Sequence, residues 1–173
     1  MRYVLVIVVF LLSLAFVTSH FQERRDARST ENSVVTQQEH GVELLAVLPR
    51  NTKLGAVIDL HAALINDSGN ECFYIPFDPP STKFAQVHVR DTTGHDLRIT
   101  TVGLRDFSPQ VANVQQRLQR HFGIAASYDL SQSFVFPGVG DYVVVLSASI
   151  DAIGEPNRHM DFAIEIPIKI TEK

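Results

Sequence analysis

Residues 134–146 read FVFPGVGDYVVVL. A short apolar run stops at Pro137-Gly138, passes Gly140 and Asp141, and resumes as Tyr142 followed by Val143, Val144, Val145 and Leu146. Pro and Gly punctuate the backbone, while Val and Tyr suit the pleated, half-buried surface of a sheet. The stretch therefore reads as strand end, tight turn, strand. A chain built from such units is all-β.

The flanking sequence repeats the pattern. AVIDLHAALI (56–65) places Ala56, Ile58, Leu60, Ala62 and Leu64 on one face, with Asp59 and His61 on the other. This period of two is that of a half-buried strand. NDSGN (66–70) follows as a dense turn signal. VELLAVL, before PRNT, and ECFYIPF (71–77), before DPPS, read as further strands. FAQVHVR (84–90) alternates again. DTTGHD (91–96) makes a hairpin loop with Gly94 available for positive φ, and LRITTV (97–102) returns. GIAASYDL (123–130), SFVF (133–136) and YVVVLSASI (142–150) continue the series. DFAIEIPIKIT (161–171) alternates most cleanly, with Phe162, Ile164, Ile166, Ile168 and Ile170 on one face. Pro167, on the other face, donates no ladder hydrogen bond and marks an edge strand or a bulge. One stretch differs. SPQVANVQQRLQRHFG (108–123) offers Ser108 as N-cap, Pro109 at the first helical position, Gly123 past the end, and Val111, Val114, Leu118 and Phe122 on one helical face. It predicts a short helix near 108–122, with a strand inside 111–120 as the alternative. Seven to nine short strands with turns about every ten residues predict an antiparallel two-sheet sandwich.

Within that class, GVGDYVVVL resembles the tyrosine-corner end of an immunoglobulin-like (Ig-like) domain, in which a Tyr entering a late strand folds its hydroxyl back onto the corner backbone. Tyr142 takes that structural role. In antibody domains Cys stands two residues after this Tyr, whereas here it is Val144, and the chain has no Trp. The order of AALINDSG, VHVRDTTGHDL and YDLSQSFVFPGVGDYVVVL resembles small bacterial Ig-like domains over about residues 57–146. Two such groups are the intracellular proteinase inhibitor family and the β-domain that precedes deuterolysin-like metalloproteases. The resemblance implies an Ig-like sandwich fold and transfers no functional residue.

The N-terminus suggests an address. After Arg2, an apolar stretch runs from Tyr3 to Val17, broken only by Ser13. It falls short of the ~20 residues a membrane-spanning helix requires and fits a signal-peptide core. Val17 and Ser19 suit a cleavage site, so residues 1–19 read as a signal peptide, with an uncleaved single-pass anchor as the second reading. Either exports the body to a periplasmic, secreted or other extracytoplasmic location, and any membrane contact runs through this segment only. Residues 20–41 are polar and aperiodic and read as a flexible spacer. The Ig-like domain is then 42–173. Cys72 is the sole Cys, so the fold is held by its core without an internal disulfide.

The chain carries 15 Lys and Arg against 19 Asp and Glu, a net charge of −4, and an acidic body of this kind excludes a sequence-independent nucleic-acid binder. The sequence holds no Gly-x-Ser-x-Gly, no Ser-x-x-Lys and no metal-ligand spacing among its seven His. His61 and His88 lie on outward strand faces and would meet if their strands were neighbours. No catalytic residue, no metal ligand and no cofactor is assigned. Asn66-Asp67-Ser68 matches the glycosylation acceptor and equally makes a turn. Binding in Ig-like domains is carried by loops. The candidates are 77–83, with Phe77 and Asp78; 103–110, with Phe107; and 151–160, with Met160. The reading is an exported, non-catalytic binding module for an unknown protein or envelope component. A secreted protease inhibitor presenting a loop is the alternative, and a sandwich enzyme with a site assembled across strands is the third.

Overall fold

The alternation of 161–171 becomes one long strand paired along its length with another. In a computed structural model that describes residues 32–74, 83–107, 115–153 and 158–172, Gly140–Ala152 (β9) and His159–Thr171 (β10) are antiparallel, from Asp151 opposite His159 to Gly140 opposite Ile170. Even-numbered residues of both face the core. Phe162, Ile164, Ile166, Ile168 and Ile170 are buried, as are Val144, Leu146 and Ile150.

Eight further strands surround this pair among the described residues: Asn32–Glu39 (β1), Val42–Pro49 (β2), Asn51–Lys53 (β3), Asp59–Asn66 (β4), Cys72–Tyr74 (β5), Gln86–Asp91 (β6), Gln116–Leu118 (β7) and Phe122–Asp129 (β8). One sheet runs β1-β2-β4-β8. The other runs β3-β10-β9-β5-β7, with β6 also on β9. The short strands β6 and β5 lie end to end along the same flank of β9, at Tyr142–Ser147 and Ile150–Ala152. The inward faces of the two sheets meet in one core, with Val42, Leu44, Ala46, Leu48, Leu60 and Leu64 from the first. Full burial of each such aliphatic side chain is worth about 1.5–3 kcal/mol. The chain is an all-β, two-sheet sandwich. The β3–β10 pairing is parallel and makes the second sheet mixed.

Pro167 sits where its missing amide costs nothing. The Lys169 amide donates to Arg50 of the β3 side, and the Ala163 amide to the Gln37 side chain, so odd-numbered residues of β10 direct their backbone groups away from β9. Pro167 shares that direction, at the edge position its chemistry predicts. At the other hairpin, Gly94 takes φ 85° while the Asp91 carboxylate accepts from the amides of Thr93 and His95.

Three expectations are corrected. The helix near 108–122 is absent over its described part: 108–114 lie outside the described residues, Gln116–Leu118 is β7 on β5, and Phe122 already opens β8. The amphipathic spacing there serves Leu118, which enters the core from a strand. A helix does form earlier, at Thr101–Phe107 (α1), where LRITTV had read as a returning strand; only isolated bridges at Asp96 and Ile99 precede it. The Thr100 side chain accepts from the Gly103 amide and so caps that helix. Finally, β1 falls inside the stretch read as a spacer. Its sequence, NSVVTQQE, is too polar to signal a strand, and its pairing to β2 supplies what its composition lacks.

Among the described residues two polar side chains are buried outright, and they differ in kind. Asn66 (0% exposed) donates to the carbonyls of Asn70 and Leu118 and accepts from the amide and hydroxyl of Ser68. Ser133 (1% exposed) leaves its hydroxyl without a partner. Removing a satisfied buried group strands its partners, whereas removing an unsatisfied one relieves a desolvation cost. Asn66→Ala is expected to destabilise the fold by about 2–3 kcal/mol, and Ser133→Ala to stabilise it by about 1 kcal/mol. Urea denaturation of the two variants checks the opposite signs.

Candidate functional site

The Lys53 carbonyl accepts from the Ala56 amide at 3.0 Å, and Gly55 adopts φ 82°. This tight turn needs a left-handed residue at its third position, which glycine supplies. The Leu54 amide donates to the Thr171 carbonyl at 2.9 Å, fastening the turn to the end of β10. Across from it stands Leu130–Ser133 (α2), a single helical turn after β8. Asp129 caps α2, its carboxylate accepting from the amides of Ser131 and Gln132 at 3.0 and 3.2 Å and from the Ser131 hydroxyl. The Leu130 amide donates to the Ile58 carbonyl at 2.9 Å, which holds α2 against the start of β4.

Between these supports lies a cleft of about 350 Å³ at one pole of the sandwich. Its floor is Ile58, Phe134, Phe136 and Ile170, and its rim the 53–56 turn and Ser131. Ile58, Phe134 and Ile170 belong to the buried core, so the cleft is a notch in the core's end. Phe136 packs edge-on against Tyr142, with ring centroids 5.3 Å apart at 86°. The Tyr142 hydroxyl donates to the Gly138 carbonyl at 2.9 Å and closes the tyrosine corner. One wall of the cleft therefore stands on that corner. Val57 and Val135, each between lining residues in the chain, are 63% and 44% exposed, and Val139 is also exposed.

The chemistry of the lining is narrow. Among the described residues Lys53 is its one ionisable side chain, and the Ser131 hydroxyl is already committed to Asp129. The Asp129 carboxylate beside that hydroxyl is held as the α2 cap by the Ser131 and Gln132 amides, and no carboxylate is among the described residues that line the space. The arrangement can hold an apolar group and offers no acid–base couple.

The residues singled out from sequence lie elsewhere. Phe77 and Asp78 are outside the described residues. Phe107 closes α1, its side chain outside the description. Met160 is 1% exposed, opposite Ile150 in the core, because it shares the inward parity of β10 and so has no surface to offer a partner. Tyr142 is at the corner as described. His61 and His88 do not meet: β4 and β6 belong to different sheets, and His61 instead bonds Ser127 at 2.8 Å. Cys72 is buried, and that burial pushes its thiol pKa up, away from nucleophilic use. In the folded state both Asn66 amide hydrogens are committed, so Asn66 serves as the turn.

A polar line missed by sequence spacing lies on the outer face at the opposite pole. His159 bonds Asp151 at 2.7 Å through Nδ1 and Asp161 at 3.0 Å through Nε2, while the Ser149 hydroxyl donates to Asp161 at 2.6 Å. Cross-strand register assembles it, setting His159 opposite Asp151 and Asp161 opposite Ser149. Carboxylates at both nitrogens favour the imidazolium form, and the Asp151 hydrogen bond raises His159 above its ordinary 6.5. The Ser149 hydrogen bond and the His159 charge lower Asp161.

No family model matches the chain, and no curated protein matches it by sequence. Among solved structures, the ASH/PapD-like domain of human CEP192 (PapD-like domain 7) is similar over 80% of this chain and 92% of its own length, at 15% identity and a TM-score of 0.42. Northeast Structural Genomics Consortium target SoR45 is similar over 80% and 81%, at 7% identity and a TM-score of 0.40.

A group whose folded pKa is raised stabilises the fold below its unfolded pKa and loses that contribution as pH rises through the folded value. Asp151→Asn is expected to bring His159 back toward 6.5 in an NMR titration of its ring protons, and to remove a stabilisation that the native chain shows below pH 6.5 and loses at higher pH. A native His159 titrating at or below 6.5 would mean the line does not form in solution.

Proposed function

We propose that this protein is an exported, non-catalytic Ig-like interaction module that binds a protein or envelope component through the cleft pole. The observation that carries the reading is the rigid apolar notch at Ile58, Phe134, Phe136 and Ile170, flanked by the exposed Val57 and Val135. Solvent-facing apolar side chains gathered around a preformed cleft are the usual composition of a binding site. Among the described residues the lining has no acid–base couple, which favours binding over catalysis. Export rests on the N-terminal sequence, with Arg2 and the apolar run Tyr3–Val17 as its basis.

The test is capture of partners from the producing cell's envelope and secreted fractions with the protein as the cell leaves it. The native chain is expected to retain a stoichiometric partner that the double variant Val57→Glu/Val135→Glu loses. Because both valines are exposed, the unfolding midpoint of that variant is expected to stay within about 0.5 kcal/mol of native. A partner retained equally by the variant would place binding elsewhere. A captured protease that loses activity would give the module the inhibitor's role.

A further inference from the structure

We infer that the cleft takes a medium-chain anionic amphiphile, with its apolar tail on the Phe134–Phe136 floor and its carboxylate at Lys53. The inference rests on the binding-module reading and names the ligand class of that site.

Three observations converge on it. First, the floor is the exposed end of the core. Ile58 immediately precedes β4 of one sheet and Ile170 belongs to β10 of the other, and a chain of methylenes laid across them continues the packing that the two sheets begin. Second, the walls are fixed before any ligand arrives. The 53–56 turn is bonded to Thr171, α2 to Ile58, and Phe136 leans on a Tyr142 whose hydroxyl is itself committed. A site already rigid loses little conformational freedom on binding. Third, among the described residues the rim has one charge of one sign. Lys53 is exposed and in no ion pair with another described residue, and Asp129, the nearest carboxylate in the chain to α2, is occupied by three donors. An alkyl chain with a positive head meets Lys53 unfavourably, and one with a neutral head leaves it unanswered. A carboxylate pairs with it in a charge-assisted hydrogen bond.

Size narrows the class. A volume of about 350 Å³ lies at the low end of the roughly 300–1,000 Å³ typical of small-molecule sites. It suits a single chain of medium length, and a sterol or a two-chain lipid exceeds it.

The test uses methyl NMR of the protein as the cell leaves it, titrated below their micellar concentrations with decanoate, decanol and decyltrimethylammonium. Saturable shifts are expected at the methyls of Leu54, Ile58 and Ile170, with decanoate bound about tenfold tighter than decanol. Lys53→Gln should erase that tenfold preference and leave decanol unchanged. Ala56→Phe, which fills the notch from its exposed rim, should abolish both while the remaining core methyl spectrum stays native. Absence of saturable shifts at these methyls overturns the inference, as does equal or tighter binding of the cation, or an unchanged preference in Lys53→Gln. If decanoate fails while Val57→Glu/Val135→Glu still costs the captured partner, the ligand class falls and the module reading stands.

Discussion

Everything in this sandwich is organised by the pairing of β9 with β10. The two strands share one unbroken register from Asp151–His159 to Gly140–Ile170, so a slip of one residue would turn Ile164, Ile166 and Ile168 into solvent and bring Glu165 and Lys169 into the core. That penalty fixes the second sheet. β9 then accepts β6 and β5 on its far flank, β10 accepts β3 at its end, and the first sheet covers the face so formed.

The poles inherit different chemistry from that register. Where β10 ends and β9 begins, the strands stop against turns that cannot seal the core. Ile170 and Ile58 are left beneath a rim made by Gly55 and α2, and the notch results. Where the β9–β10 hairpin lies at the other pole, the outward parity of both strands presents Ser149, Asp151, His159 and Asp161 side by side. Tyr128 adds a tie between sheets. Its buried hydroxyl accepts from the amides of Phe84 and Ala85, and burial pushes its pKa up to about 12, so it stays a neutral phenol.

The division between the poles bears on what the protein can do. The polar line is solvent-exposed and internally satisfied, which suits a charge-tuned surface. The notch is apolar, preformed and singly charged at its rim, which suits recognition of a ligand with a tail and a head.

Much of the fold was legible in the residues. Alternation in 56–65 and 161–171 gave β4 and β10 because burial of one face imposes a period of two, and Pro137-Gly138 before Tyr142 announced the corner because few backbones satisfy that order. Pro167 declared an edge-directed amide for the same kind of reason. What the sequence determined by itself was therefore local: which stretches are strands, which face of each is apolar, and where the chain turns. Tertiary structure decided the rest. It made a strand of β1 despite its polar composition, replaced the helix expected near 108–122 with β7, and withdrew Met160 into the core by parity. It set His61 and His88 on different sheets, and it brought Lys53, Ile58, Phe136 and Ile170 around one cleft. Those outcomes depend on which strand lies beside which and at what register. They are fixed by pairing and packing between residues far apart in the chain, which local propensity does not encode.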